Sequence, residues 1–114
     1  MDDNSVYLVT ELWVLPNAFA QLKNYRKRMN NILEEFKPET IFHNHAFEWV
    51  YGGEGESYPT GIEIVKFENE EIARRAIAAL DTVELRAMEN AVFSRVRCYL
   101  SRYALPEGLG ERNL

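Results

Sequence analysis

Two histidines on one strand-like segment, His43 and His45, and four charges within other strand-like segments, Glu11, Glu63, Arg95 and Arg97, are the side chains of this chain best placed to do chemistry. A charge that is buried without a partner costs several kcal/mol, so charges of this kind pair with one another or meet a ligand. In a pocket, an arginine would hold the carboxylate or phenolate of a substrate while a desolvated glutamate, raised in pKa, acts as base. The plainer reading makes the same four charges ion pairs that fix strand register or subunit pairing. His43 and His45 could ligate a metal, shuttle protons or serve as base or hydrogen-bonding group. Spacing marks no third metal ligand, and an exposed or subunit-contact pair is the plainer assignment. Glu11, His43 and His45 are therefore the catalytic candidates. Trp13, Trp49, Glu63, Arg95, Arg97 and Tyr99 are the candidate binding residues, with neither metal nor cofactor expected. The aromatic side chains among them, with Tyr7 and Phe47, suit the wall of an aromatic-substrate cavity or the filling of a core or interface.

The elements that position these residues follow from periodicity. Val6 to Leu15 reads VYLVTELWVL, apolar or aromatic on both parities, so this strand needs cover on both faces. Pro16 and Asn17 mark a helix start, Asn17 as the cap. Phe19, Leu22, Tyr25, Met29, Ile32, Leu33 and Phe36 then form one stripe of a long helix, which Lys37 and Pro38 end. Thr40 to Tyr51 reads as a second strand and Gly61 to Glu68 as a third, joined by a glycine-rich loop that could act as a lid. That loop lacks the GxGxxG spacing, and no helix follows to receive a phosphate. Asn69 caps a second helix with Glu70 and Glu71 in its first turn. Asp81 and Glu84 resemble a capping box for a short helix towards Asn90, stapled by Leu80 and Leu85. Val92 to Tyr103 reads as the last strand, so that residues 1–104 make one domain and residues 105–114 a tail.

The order strand, helix, strand, strand, helix, strand predicts an α+β, ferredoxin-like βαββαβ sandwich with an antiparallel sheet and its first and third strands central. Such a monomer leaves one sheet face without helices. Parity assigns Leu8, Leu12, Val14, Ile62, Ile64, Val96, Cys98 and Leu100 to the helices. Tyr7, Val9, Glu11, Trp13, Glu63, Val65, Phe67, Phe93, Arg95, Arg97, Tyr99 and Tyr103 then fall on the other face. Ile41, His43, His45, Phe47, Trp49 and Tyr51 share a parity placed on that same face, although a bulge would reverse part of it. The expected cover is a second copy of the chain, with a pocket between the two sheets.

Composition narrows the partners. With 114 residues, 46% of them hydrophobic, the chain is one domain long and has ample material for a core. A net charge of -5 disfavours nucleic acid and anionic membranes. No apolar run approaches a membrane span, the acidic start MDDNS is unlike a signal peptide, and the single Cys98 fits a reducing compartment. A cytoplasmic protein is expected.

The order of elements, the cap after the first strand and the run from Phe67 to Arg97 resemble the dimeric α/β-barrel superfamily. It includes antibiotic-biosynthesis monooxygenase-like, NIPSNAP-like and domain-of-unknown-function (DUF) members, the last with a short helix before the final strand. The resemblance spans nearly the whole chain and is architectural. It implies a homodimer with two sheets face to face and a small-molecule cavity inside or beside the barrel. The activity expected from it is a cofactor-free oxygenase, isomerase or cyclase acting on a small aromatic or anionic compound. The rival is a non-catalytic dimerisation or ligand-sensing module, and the third reading a metal-dependent enzyme using His43 and His45. His-x-His with Glu48 is faintly similar to a cupin, but that fold has no place for two long helices. Heme-degrading relatives hold their histidine on or after a helix, unlike the strand histidines here.

Overall fold

A computed structural model describes residues 4–102. The elements are β1 (Val6–Val14), α1 (Phe19–Leu33) with a 3-10 turn (Glu34–Phe36), β2 (Glu39–Asn44), β3 (Gly61–Phe67), α2 (Glu70–Leu80), α3 (Val83–Val92) and β4 (Phe93–Arg102). The four strands form one antiparallel sheet in the order β2-β3-β1-β4, so the first and third strands are central, as a ferredoxin-like fold requires. Tyr103 and the tail expected from residue 105 lie outside the described residues. No helix among the described residues is long and apolar enough to cross a membrane.

Local chemistry sets the helix boundaries. Asn69 caps α2 by accepting a 2.9 Å hydrogen bond from the Ile72 amide. For α3 the cap is Thr82, whose hydroxyl accepts from the Leu85 amide at 3.1 Å, one residue beyond the Asp81 expected. Asp81 instead forms an exposed ion pair with Arg86. Asn17 does not cap α1 either. It takes a left-handed φ of 67°, a conformation asparagine tolerates, and turns the chain so that the helix begins at Phe19 without a side-chain cap. At the other end Lys37 adopts φ 50° immediately before Pro38 and stops the helical run.

One sheet face supplies the core. Val6, Leu8, Val65, Phe67 and Leu100 meet Met29, Leu33, Phe36, Ile72, Ala73, Ala76 and Leu80. A second cluster joins Leu12, Val14, Val96 and Phe93 to Leu22, Tyr25 and Val92. Pairing of Leu8 with Val65, Thr10 with Glu63 and Val6 with Phe67 fixes the parity of β3. It is the reverse of the expected one: Glu63, Val65 and Phe67 face the helices, and Ile62 and Ile64 face away. Phe67 decides this, since its ring is wholly buried against the alanines of α2, a larger apolar gain than either isoleucine would give in its place. Phe93 likewise belongs to the core, where β4 begins out of register with β1 at the Trp13/Val14 irregularity.

The second strand also departs from expectation. It ends at Asn44, not near Tyr51, and a bulge between Thr40 and Phe42 shifts its register. Beyond the bulge Phe42 pairs with Ile64 on the outer face while His43 pairs with Glu63 on the helix side. Residues 45–60 then fold on themselves. The Trp49 indole donates to the Glu56 carbonyl at 2.7 Å, and its ring leans on Tyr58. The Trp13 indole donates to the Ser57 carbonyl at 3.0 Å, and Thr60 binds the end of β1 through backbone and hydroxyl. Glycine is required at position 53 because a Cβ there would lie 2.2 Å from the Trp49 ring. Gly53→Ala is therefore expected to expel the indole, red-shifting tryptophan emission while far-ultraviolet circular dichroism stays as in the wild type.

Candidate functional site

The helix-facing side of the sheet is not closed over its whole length. Between β1, β3 and β4 below and α1, α2 and α3 above lies a cleft of about 730 Å³, within the range of small-molecule pockets. Its floor is Leu8, Thr10, Leu12, Glu63, Val65, Val96, Cys98 and Leu100, and α1 roofs it with Leu22, Tyr25, Arg26 and Met29. Cys98 shares a face with Thr10 and yet is exposed, so the cleft opens along the edge strand β4. Thr10 Oγ1 and Cys98 Sγ lie 3.4 Å apart on that floor.

Among the polar side chains of the lining, two groups lie between the sheet and α1. Glu63 is largely buried and forms an ion pair with Arg26 of α1, while His43 Nε2 lies 3.6 Å from the same carboxylate and 3.1 Å from the Arg26 guanidinium. The other is Tyr25, packed edge-on against Phe93 with ring centroids 5.2 Å apart and donating to Glu89 Oε2 at 3.4 Å. Burial of the ring, then the charge of Glu89 and the hydrogen bond to it, raise the phenol's pKa far above its ordinary 10.0. Tyr25 is thus a hydrogen-bond donor throughout the physiological range.

The residues singled out from sequence divide into three groups. Glu63 lines the cleft, and Tyr99 contributes to its wall although its partner Val9 is on the outer face. Glu11, Trp13, Arg95 and Arg97 gather on the outer face, where Arg97 Nε lies 3.0 Å from Glu11 Oε1 and the Arg95 guanidinium sits 4.8 Å from the centre of the Trp13 ring. That Glu11 oxygen is buried without an aligned hydrogen bond, so the contact is purely coulombic. His45 and Trp49 belong to the 45–60 loop, His45 Nδ1 lying 3.2 Å from the neighbouring Ala46 carbonyl. His43 and His45 therefore do not converge, and no three His, Cys, Asp or Glu side chains among the described residues gather as a metal site would need. Nothing from residues 45–60 lines the cleft, so the loop is not its lid.

Arg26 and Glu89 escape a reading of the sequence because each sits in an amphipathic helix pattern where a polar residue beside an apolar stripe reads as solvated, and Tyr25 because it reads as part of the stripe itself. A tyrosine in the buried stripe of α1 was the one available signal. Phenols need a partner when buried, and a carboxylate was the natural one to seek.

The sequence matches no family model and no curated protein. Solved structures do match. A protein of unknown function from Rhodopseudomonas palustris superposes with a TM-score of 0.70 at 9% identity, over 92% of this chain and 86% of that one. SnoaB, a cofactor-independent oxygenase from Streptomyces nogalater, gives 0.59 at 18% identity over 91% and 99%. A candidate antibiotic-biosynthesis monooxygenase from Bordetella bronchiseptica gives 0.58 at 10% identity over 90% and 99%. The chain thus shares an α+β, ferredoxin-like fold with these solved structures.

The raised pKa of Tyr25 has a consequence for stability. The unfolded phenol ionises near its ordinary value while the folded one does not, so its contribution is full below about pH 10 and is lost as pH rises further. Tyr25→Phe removes that dependence. Urea denaturation from pH 9 to 11 is expected to show a shallower alkaline loss of stability in this variant than in the wild type.

Proposed function

We propose that the chain is a homodimeric small-molecule-binding domain whose ligand occupies the cleft between the sheet and the helices. The observation that carries this reading is the cleft itself: about 730 Å³ of mostly apolar space, with polar groups at a few fixed points. Well-packed domains leave few voids larger than a water molecule, and an opening of this size next to a fully buried Phe67 supports reading the cleft as a site. Chemistry without a resident cofactor, of the oxygenase, isomerase or cyclase kind, suits a pocket whose protein groups include a phenol, a thiol, carboxylates and arginines paired with carboxylates. SnoaB is described as a cofactor-independent oxygenase on the same fold, which supports this choice.

The ligand-sensing alternative draws on a different observation. The charges first suspected of substrate binding are engaged on the outer face, Glu11 with Arg97 and Arg95 over Trp13. There they suit subunit contact, together with Phe42, Tyr99 and the loop side chains Phe47, Val50 and Tyr51, which stand largely in solvent in the monomer. In this reading the outer face belongs to the dimer and the helix face to the ligand.

Each half has its own test. N-phenyl-1-naphthylamine, a neutral fluorophore that brightens in apolar surroundings, should brighten on binding the wild type and stay dim with Cys98→Trp, which fills the mouth of the cleft. Equal brightening with both proteins would place the probe elsewhere. Light scattering after size exclusion at micromolar concentration should give twice the mass of one chain. Arg97→Glu, which sets two carboxylates together at Glu11, should shift that mass towards the monomer; a wild-type protein that runs as a monomer removes the dimer.

A further inference from the structure

The charges around the cleft do not cancel in the way their number implies. Three cations and three carboxylates reach it: Arg26, Arg74 and Arg86 against Glu63, Asp81 and Glu89. Arg26 is taken by Glu63, and Arg86 by Asp81 at 2.6 Å. Arg74 is taken by Glu70, which is not in the lining, at 2.7 Å. That leaves Glu89. Among the described residues no cation pairs with it, and its carboxylate accepts a long 3.4 Å hydrogen bond from the Tyr25 hydroxyl.

Resting on the proposal that the cleft binds a small molecule, we infer that Glu89 is its specificity-determining residue and selects a neutral ligand that presents an O–H or N–H group. A carboxylate has spare lone pairs after accepting one hydrogen bond from Tyr25, and it can donate none while ionised. A ligand hydroxyl placed beside it completes that shell. An anionic ligand would enter a cleft whose arginines are all engaged and whose free charge is negative, so desolvation and repulsion act together against it. This reverses the expectation from sequence that an arginine would hold an anionic substrate. Tyr25 fixes the carboxylate in place: the edge-on contact with Phe93 orients its ring, and the phenol keeps its proton. Glu89 lies on α3, and Arg28 of α1 reaches Glu84 of the same helix at 3.1 Å, so the element that carries the carboxylate is tied to the roof of the cleft.

Three naphthalenes of matched shape separate the possibilities by calorimetric titration: 2-naphthol, its methyl ether 2-methoxynaphthalene, and 2-naphthoate. In the wild type 2-naphthol should bind about tenfold tighter than the ether, the worth of one hydrogen bond to a charged acceptor. 2-Naphthoate should be the weakest of the three. Glu89→Leu should erase the advantage of the naphthol over the ether without weakening the ether, and should improve the naphthoate. Glu89→Gln keeps size and an acceptor and serves where the leucine variant does not fold; here the naphthoate should improve and the naphthol lose part of its advantage. Naphthoate binding as tightly as naphthol in the wild type, or a naphthol preference that survives both substitutions, overturns the inference while leaving the cleft as a site. Failure of all three compounds to bind overturns the site and the inference together.

Discussion

Glu63 stands on the helix-facing side of a central strand, and its ion pair with Arg26 governs how the helical layer meets the sheet. A carboxylate in that position is costly unless a cation and further hydrogen-bonding groups reach it. Arg26 does so from α1, and His43 from β2 lies beside both. The arginine stem has to fit between helix and sheet, which holds α1 away from the floor at this point. With Thr10 and Cys98 next to Glu63 on the same face, the sheet offers the helices a polar strip that they do not close over. The cleft is the outcome. Core packing is confined to the two ends of this strip, around Phe67 at one and Phe93 at the other.

Much of this fold was readable in the residues. The element order, the antiparallel topology and the central position of β1 and β3 follow from period-two and period-three-to-four patterns that real packing respected. The Asn69 cap was legible because asparagine followed by two glutamates leaves a helix start little alternative. Parity was legible in β1 and in β4 from Arg95 onward, but not at Phe93 and not in β3. Its two isoleucines form an apolar pair as good as Val65 and Phe67 unless one knows that Phe67 faces the alanines of α2. Cross-strand partners decide such cases, and a single sequence does not contain them.

The second strand shows a different obstacle. One extra residue at the bulge turns His43 from the outer face to the helix side, and the hydrophobic character of positions 47 to 51 gave no hint that pairing stops at Asn44. Trp49, Val50 and Tyr51 read as strand because aromatic and β-branched residues favour sheets. In the structure that run belongs to a loop organised by indole hydrogen bonds and by Gly53, features set by contacts within the loop rather than by periodicity. The candidate site was illegible for the same reason. Its carboxylates and phenol come from α1, β3 and α3, and their meeting is a property of the layer geometry.

The two faces of the sheet consequently use charge in opposite ways. On the outer face Glu11 lies against Arg97, and Arg95 lies over an indole, so these three charged groups each have a counterpart. Ion pairs that are only partly withdrawn from water contribute little by themselves, and they gain value if a second surface removes the remaining solvent. On the helix face the pairing is incomplete by one carboxylate, and the group beside it is a phenol that keeps its proton. A surface whose charged groups already lie against a carboxylate or an aromatic ring suits a lasting contact. A cleft with one acceptor left over suits a ligand that comes and goes, since the missing hydrogen bond can be made by the ligand and replaced by water when it leaves.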